Sequence, residues 1–158
     1  GISKVKEESE LAPAVATAFE FDTEVIVEAF LDGIEYSCGV IREGEVLHAF
    51  PVTEIIPQGE FFDYDAKYEG ASQEITPANL SPAMSRKCQE LSTELYEILD
   101  CRGIVRFDYI LVGDTFTLLE ANTIPGLSEA SIIPQQAIAY GWSIERLLDV
   151  VITSCLKK

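Results

Sequence analysis

The sequence predicts an α+β fold in which an antiparallel sheet is flanked by helices, and three observations support this class. Runs of apolar, β-branched and aromatic residues are separated by Asp32-Gly33 and Glu43-Gly44, dipeptides typical of hairpin turns. Helical periodicity is confined to segments outside these runs, as expected for an α+β layer architecture. The chain of 158 residues is 47% hydrophobic, so it can form one sizeable core.

The first half of the chain is predicted to contain a helix followed by an antiparallel meander. The helix covers 5–19, is acidic in its first turn and contains Pro13. The predicted strands are 24–28, 34–42 and 45–56. Residues 57–80 lack periodicity and are predicted to form a long loop, a feature that in compact domains often carries function.

The second half of the chain is predicted to alternate helices and strands. Its elements are a helix from Ser81-Pro82 to Arg102-Gly103, strands over 104–112 and 115–121, and a helix from Ser143 to about Cys155. Ser81 is a favourable N-cap, and Pro82 suits the first turn of a helix. The stretch that holds Pro125 and Pro134 is predicted to be a loop.

The charge balance limits the possible partners. The chain has 27 acidic and 11 basic residues and a net charge of -16, so nucleic acids and anionic membranes are poor partners. A bound polyphosphate would need divalent metal or basic residues from elsewhere in the protein. No apolar stretch has the length of a membrane span and no signal segment is visible, so we expect a cytoplasmic protein. The start at Gly1, without a methionine, indicates a fragment.

Cysteine and histidine offer little for catalysis or metal binding. The cysteines, Cys38, Cys88, Cys101 and Cys155, are widely spaced, so neither a zinc site nor a disulfide framework is predicted. The only histidine, His48, lies within an apolar run, where a strand-surface residue is expected rather than a catalytic base.

Two predicted strands each carry a polar pair on one face. Arg106 and Asp108 lie two residues apart, as do Glu120 and Asn122. A two-residue turn at Gly113-Asp114 would put Asp108 opposite Leu119, whereas a three-residue turn puts Asp108 opposite Glu120 and Arg106 opposite Asn122. We expect the three-residue turn, because it brings all four polar residues together.

This arrangement predicts a metal site. Two carboxylates and an amide oxygen are hard ligands that suit magnesium or manganese. A solvated polar face is the alternative interpretation, but two facing carboxylates repel unless a cation lies between them. The turn-rich stretch 123–131 follows at once and can offer N–H groups and hydroxyls to an anion.

Several segments in order resemble the D-alanine-D-alanine ligases of the ATP-grasp superfamily. They are Gly1-Ile2-Ser3-Lys4-Val5, Val25-Ile26-Val27-Glu28, Gly33-Ile34-Glu35, Tyr64-Asp65-Ala66-Lys67-Tyr68, Gly103-Ile104-Val105-Arg106-Phe107-Asp108 and Leu119-Glu120-Ala121-Asn122-Thr123-Ile124-Pro125-Gly126, with Ser131 beyond. The resemblance implies that 1–158 is the C-terminal catalytic part of an ATP-grasp enzyme. The N-terminal domain and most of the central domain would lie outside it.

The resemblance also implies a role for each matching residue. Glu28 and the backbone around Phe30 and Leu31 would bind adenine, and Glu35 would bind the ribose. Ala29 stands where many members of the family carry lysine, so a side-chain contact to adenine is not expected there. Lys67 would contact phosphate, and the neighbouring Tyr68 would close over the second substrate.

For the reaction centre, the resemblance assigns two further groups of residues. Asp108, Glu120 and Asn122 match the ligands of two magnesium or manganese ions, and Arg106 matches the arginine that stabilises the oxyanion. Gly126 and Ser131 match the residues that hold the carboxylate of the second amino acid.

The implied activity is the ATP-dependent joining of two D-alanines through an acyl phosphate, for peptidoglycan synthesis. The full-length enzyme is expected to be a homodimer, and the fragment alone is expected to be inactive. The alternatives are another ATP-grasp ligase with a different carboxylate and amine, or a non-catalytic nucleotide-binding domain that keeps the fold.

Overall fold

The computed structural model describes residues 1–57 and 72–156, and an antiparallel sheet lies at its centre. The strands are β1 (Ile34–Glu43), β2 (Val46–Ala49), β3 (Thr53–Pro57), β4 (Ser72–Ile75), β5 (Ile104–Val112) and β6 (Thr115–Asn122). Their order across the sheet is β4-β3-β1-β5-β6, and β2 pairs with the end of β1. Within these residues the predicted α+β class with an antiparallel sheet is confirmed.

Four helices accompany the sheet in the described residues. They are α1 (Glu8–Ala18), α2 (Pro82–Ile98), α3 (Ile132–Tyr140) and α4 (Ile144–Leu156). Helix α2 begins as predicted, because the Ser81 hydroxyl accepts a hydrogen bond from the Met84 N–H at 3.3 Å. In the described ranges no helix combines the length and the apolar character needed to cross a membrane.

The two faces of the sheet have different neighbours, because side chains alternate along each strand. One face packs against α2 through a buried apolar cluster, which contains Tyr36, Cys38, Val40, Val52, Cys88, Tyr96, Val105, Phe107, Tyr109 and Phe116. The opposite face packs against α3 and α4 through a second cluster, which contains Ile41, Phe50, Ile104, Ile133, Ala137, Leu147 and Val150. The second cluster covers only one end of its face, and polar residues occupy the rest.

The loop predicted through Pro134 is wrong, because α3 forms there. Pro134 is the third residue of α3, within the first turn, where an N–H has no acceptor inside the helix. A proline at this position therefore costs no intrahelical hydrogen bond. Its side chain and those of Ile132 and Ile133 are buried, so packing against the sheet stabilises the helix.

The predicted strand over 24–28 is also wrong. This stretch has no regular secondary structure, and Ile26 and Val27 are exposed. A β-branched run becomes a strand only when it pairs with another strand and packs one face, and no strand of the described chain pairs with it. Helix α1, which precedes it, has no buried residue either.

The predicted strand over 45–56 is divided into β2 and β3. Both lie along β1, but their pairings, Val40 with Ala49 and Ser37 with Thr53, differ in register by one residue. The interruption includes Pro51, which has no N–H to donate to the sheet. The predicted loop over 57–80 is wrong for 72–75, where β4 pairs with β3.

Candidate functional site

The hairpin of β5 and β6 brings Asp108 and Glu120 opposite each other, as predicted, but by a different route. The turn has two residues, because Val112 pairs with Thr115, so the predicted three-residue turn is wrong. The register shifts at a β-bulge further along: Tyr109 pairs with Leu118, whereas Asp108 pairs with Glu120. Leu119 is the extra residue of the bulge, and Arg106 then pairs with Asn122.

Arg106 and Asp108 form a two-point ion pair on the half-covered face of the sheet. Arg106 donates from Nε to Asp108 Oδ1 at 2.9 Å and from Nη2 to Oδ2 at 2.7 Å. The side chains are 19% and 5% exposed. Asp108 Oδ1 also accepts a hydrogen bond from the hydroxyl of Ser37 on β1. Donors from two strands therefore fix the orientation of this carboxylate.

Negative charge dominates the surroundings of Arg106. Burial alone would lower the pKa of Arg106, but its hydrogen bonds to Asp108 and the charges of nearby carboxylates together outweigh burial and raise the pKa above its ordinary value. The charges of three carboxylates act in the same direction, namely those of Asp108, Glu120 and Glu35. One guanidinium is thus surrounded by several acids, an arrangement that favours binding of a further cation.

Helix α3 and strand β4 also place polar side chains near Arg106. Gln135 donates from Nε2 to Glu74 Oε2 at 3.2 Å, which links α3 to β4. Burial raises the pKa of Glu74, although the hydrogen bond from Gln135 and the charge of Arg106 act in the opposite direction. Glu74 is therefore a further carboxyl group close enough to Arg106 to affect the charge balance of the site.

The predicted metal ligands Asp108, Glu120 and Asn122 lie on the paired strands β5 and β6, and β6 is at one edge of the sheet. Asn122 donates from Nδ2 to Glu120 Oε1 at 2.9 Å, which leaves the amide oxygen of Asn122 as a possible ligand. In residues 1–57 and 72–156, no group of three or more His, Cys, Asp or Glu side chains has the geometry to hold a metal ion. The two carboxylates and the amide oxygen suit magnesium only if phosphate or water oxygens supply its other ligands, which is how proteins commonly bind it.

Gly126 and Ser131, the predicted holders of a substrate carboxylate, are neighbours. A Cβ atom added to Gly126 would lie 2.7 Å from Ser131 Oγ, so a larger residue at this position would force the Ser131 side chain to move. Ser131 is the N-cap of α3 but does not cap it with its side chain, and its Oγ lies 2.8 Å from Ser128 Oγ. The start of α3 therefore presents hydroxyls next to unbonded helical N–H groups, which is a favourable environment for an anion.

The predicted nucleotide-binding residues are distributed over different parts of the chain. Glu28 and Phe30 are exposed and Leu31 is half-buried in the irregular segment before β1, and the Lys4 Nζ lies 3.5 Å from the centroid of the Phe30 ring. Glu35 lies on β1, and its charge acts on Arg106. Lys67 and Tyr68 lie outside the described residues.

Sequence reasoning missed two buried polar residues beside the site, Ser37 and Gln136. Both are fully buried. Gln136 donates from Nε2 to the Ser37 carbonyl at 2.9 Å and accepts from the Gly39 N–H at 2.9 Å. The available signal was the pair Gln135-Gln136 in an otherwise apolar stretch, but that stretch was assigned to a loop, where glutamines are common.

Comparison with known proteins identifies the family. The family model described as the D-ala D-ala ligase C-terminus matches residues 1–153. The chain is 50% identical over 147 residues to the D-alanine-D-alanine ligase of Flavobacterium johnsoniae, covering 93% of this chain and 46% of the relative. It is 48% identical over 159 residues to that of Christiangramia forsetii, covering 100% of this chain and 48% of the relative.

Solved structures give the same result. The D-alanine-D-alanine ligase of Bacillus anthracis in complex with ATP aligns with a TM-score of 0.81 at 31% identity, over 99% of this chain and 51% of that one. The VanG D-Ala:D-Ser ligase of Enterococcus faecalis aligns with a TM-score of 0.82 at 35% identity, over 93% and 43%. The chain spans about half the length of the relatives it matches. On this combined sequence and structural similarity, the chain belongs to the D-Ala-D-Ala ligase C-terminal family.

Proposed function

We propose that this chain is the C-terminal catalytic half of an ATP-dependent D-alanine-D-alanine ligase, here called the parent ligase. Its relatives carry that name and are about twice as long, which supports the view that the other half completes the site. The observation that carries the proposal is the pairing of Asp108 with Glu120 beside the buried Arg106. An acidic edge of this kind can bind a nucleotide only with the help of cations.

In the proposed site, the oxygens of Asp108, Glu120 and Asn122 hold magnesium or manganese, with two ions in the complete enzyme. Asp108 can do so while bound to Arg106 and Ser37, because a carboxylate has about four acceptor positions. Bound metal would neutralise charge on the phosphates of ATP. Asp108 and Glu120, held on neighbouring strands, keep the ligands at a fixed spacing.

ATP would lie between this face and the missing half. Glu28 and the backbone around Phe30 and Leu31 would bind adenine, Glu35 would bind the ribose, and Lys67 would contact phosphate. The terminal phosphoryl group moves to the carboxylate of the first D-alanine, which gives an acyl phosphate and ADP. Glu28, Phe30 and Leu31 precede the sheet, and the exposure of Glu28 and Phe30 leaves them accessible to a nucleotide.

Arg106 would act in the second step. The amine of the second D-alanine attacks the carbonyl carbon of the acyl phosphate, and the tetrahedral intermediate then expels phosphate to leave the dipeptide. Arg106 uses Nε and Nη2 to bind Asp108, and its remaining N–H groups can donate to the developing oxyanion. An arginine is protonated at physiological pH, and the surrounding carboxylates further favour its charged form.

The second D-alanine would be held at the start of α3. Its carboxylate fits the hydroxyl of Ser131 and the space beside Gly126, where helical N–H groups and the helix dipole favour an anion. Tyr68 would close over it and favours an amino acid over D-lactate. The proposed product is a dipeptide for peptidoglycan precursors, made in the cytoplasm by a homodimeric enzyme.

The test is to assay the parent ligase for ADP and for dipeptide. A chimera of the N-terminal half of the Flavobacterium johnsoniae ligase and residues 1–158 is assayed in parallel. We expect D-alanyl-D-alanine and ADP in equal amounts, only with added magnesium or manganese. D-Serine is offered in parallel, because one structural relative is a D-Ala:D-Ser ligase.

The controls separate the competing functions. Asp108→Asn should abolish both products if the site is catalytic. ATP binding without any turnover would favour a non-catalytic nucleotide-binding domain, and turnover only with other carboxylates or amines would favour a different ATP-grasp ligase. Either result would overturn the proposal.

A further inference from the structure

A buried hydroxyl lies directly against the proposed metal ligand Asp108 but comes from a different strand. Ser37 is fully buried on β1, and its Oγ donates to Asp108 Oδ1. The two residues are also cross-strand partners in the β1–β5 pairing. The hydroxyl therefore approaches the carboxylate from the interior of the sheet.

Arg106 is one of two residues that donate to Asp108, and it also has a proposed role in the reaction. In the structure its Nε and Nη2 both bind the Asp108 carboxylate. During turnover the remaining N–H groups of Arg106 would also donate to the developing oxyanion, so the guanidinium would bind two anions at once. A second donor that takes no part in the chemistry would keep the carboxylate in place while this happens, and the Ser37 hydroxyl has that position.

The backbone around Ser37 is itself fixed by α3. Gln136 binds the Ser37 carbonyl and the Gly39 N–H, and its Nε2 also donates to Thr53 Oγ1 at 3.0 Å. Gln136 and Thr53 are fully buried. A Cβ added to Gly39 would meet Gln136 Oε1 at 2.8 Å, so Gln136 packs closely against the backbone of β1. Ser37 is thus held in a rigid, desolvated setting, as expected for a group that orients another.

We propose that Ser37 is a positioning residue: its hydroxyl orients the Asp108 carboxylate for metal binding, and Gln136 fixes the strand from which it donates. The inference rests on the proposed function only in taking Asp108 as a metal ligand. Hydrogen bonds to the ligands of a metal commonly change its affinity by about tenfold to a hundredfold. Ser37 should therefore control metal affinity, apart from any contribution to folding.

The test measures Mn²⁺ binding to the parent ligase by electron paramagnetic resonance, with a non-hydrolysable ATP analogue present. Ser37→Ala should raise the Mn²⁺ dissociation constant about tenfold to a hundredfold. Ser37→Thr keeps the hydroxyl but adds a methyl group at a fully buried position, so the comparison is made on folded protein, which should bind Mn²⁺ like the unaltered protein. Ser37→Cys keeps a weak donor and should lie between them, and it serves as the test variant if Ser37→Ala does not fold.

Ser92→Ala is the matched control. Ser92 is also fully buried, and its hydroxyl contacts Tyr109 and Cys88 on the opposite face of the sheet. Its removal should lower thermal stability without changing Mn²⁺ affinity. Equal loss of affinity in Ser92→Ala and Ser37→Ala, or none in Ser37→Ala and Ser37→Cys, would overturn the positioning role.

Asp108→Asn distinguishes this failure from failure of the proposed function. If Asp108→Asn binds Mn²⁺ as tightly as the unaltered protein, the metal assignment is wrong and the role of Ser37 fails with it. If Asp108→Asn loses Mn²⁺ binding while Ser37→Ala retains it, only the role of Ser37 is wrong.

Discussion

The two faces of β5 use alternate residues of one strand for opposite purposes. Val105, Phe107 and Tyr109 face α2 and are almost completely buried in apolar surroundings. Arg106 and Asp108 face the other way and form an ion pair among further carboxylates. The difference teaches that stability and chemistry are separated by the pleat of a single strand. Replacements one residue apart should therefore have different consequences.

The largest expected effect is the loss of activity when residues 1–158 are tested without the rest of the parent ligase. Residues 1–158 alone should form no detectable D-alanyl-D-alanine with ATP and magnesium, because the half of the relatives that this chain does not match would supply the other wall. Holding reactants in one geometry can lower the activation free energy by about 7 to 11 kcal/mol. ADP and dipeptide are measured beside the parent ligase, and turnover within about tenfold of it would show that the essential residues were misplaced.

The next effect is on the α2 face. Phe107→Ala should lower the free energy of unfolding by about 3 to 5 kcal/mol, because it leaves a cavity in the core around a fully buried ring. Urea denaturation of residues 1–158 measures this. Leu119→Ala, at the exposed bulge residue, is the control and should change the free energy by less than about 0.5 kcal/mol. Similar losses in both variants would contradict the assignment of the core.

The corresponding change on the polar face should affect turnover. Arg106→Ala in the parent ligase should lower turnover about a hundredfold to a thousandfold if Arg106 stabilises the oxyanion. Rates are compared at a temperature where both proteins are folded, because the variant also leaves Asp108 without its cation. Arg42→Ala removes another ion pair, that with Glu97 on the surface, and should leave turnover unchanged. Near-normal turnover in Arg106→Ala would exclude the proposed role.

The smallest of these effects is a hydrogen bond inside the apolar face. Tyr109→Phe removes the contact between the Tyr109 and Ser92 hydroxyls, 2.8 Å apart, and should cost about 1 kcal/mol of stability at neutral pH. Burial raises the pKa of Tyr109, so the unfolded state ionises first. Because ionisation favours the unfolded state, the free energy of unfolding should decrease as pH rises above about 10. Urea denaturation at neutral and alkaline pH should show a smaller alkaline loss in Tyr109→Phe.

The sequence predicted most elements whose pattern is local. Strands β5 and β6 and helices α2 and α4 lie within a few residues of their predicted bounds, because periodicity and the Ser81-Pro82 cap are local signals. The stretch 24–28 has a strand composition but no partner strand in the described chain, so its composition was misleading. Helix α3 was missed because a proline in the first turn of a helix reads like a loop signal.

The site was predicted in part for the same reason. The cross-strand pairing of Arg106 with Asn122 and of Asp108 with Glu120 was predicted because spacing by two residues fixes their faces, and their roles remain predictions. Their register was reached by the wrong turn, since the bulge at Leu119 depends on packing that a sequence does not display. Ser37 carries no signal in its strand, and its contact with Asp108 can be recognised only once β1 is known to pair with β5.

The most direct test of the account is Mn²⁺ binding by Glu120→Gln. Glu120 is exposed, so this change removes one charge from the proposed metal pair without disturbing the core. With an ATP analogue bound to the parent ligase, the Mn²⁺ dissociation constant should rise at least about tenfold, since even indirect contacts to a metal have effects of that size. The free energy of unfolding should stay within about 0.5 kcal/mol of the unaltered protein. Unchanged Mn²⁺ affinity in a folded Glu120→Gln would contradict the assignment of Asp108 and Glu120 as a metal-binding pair.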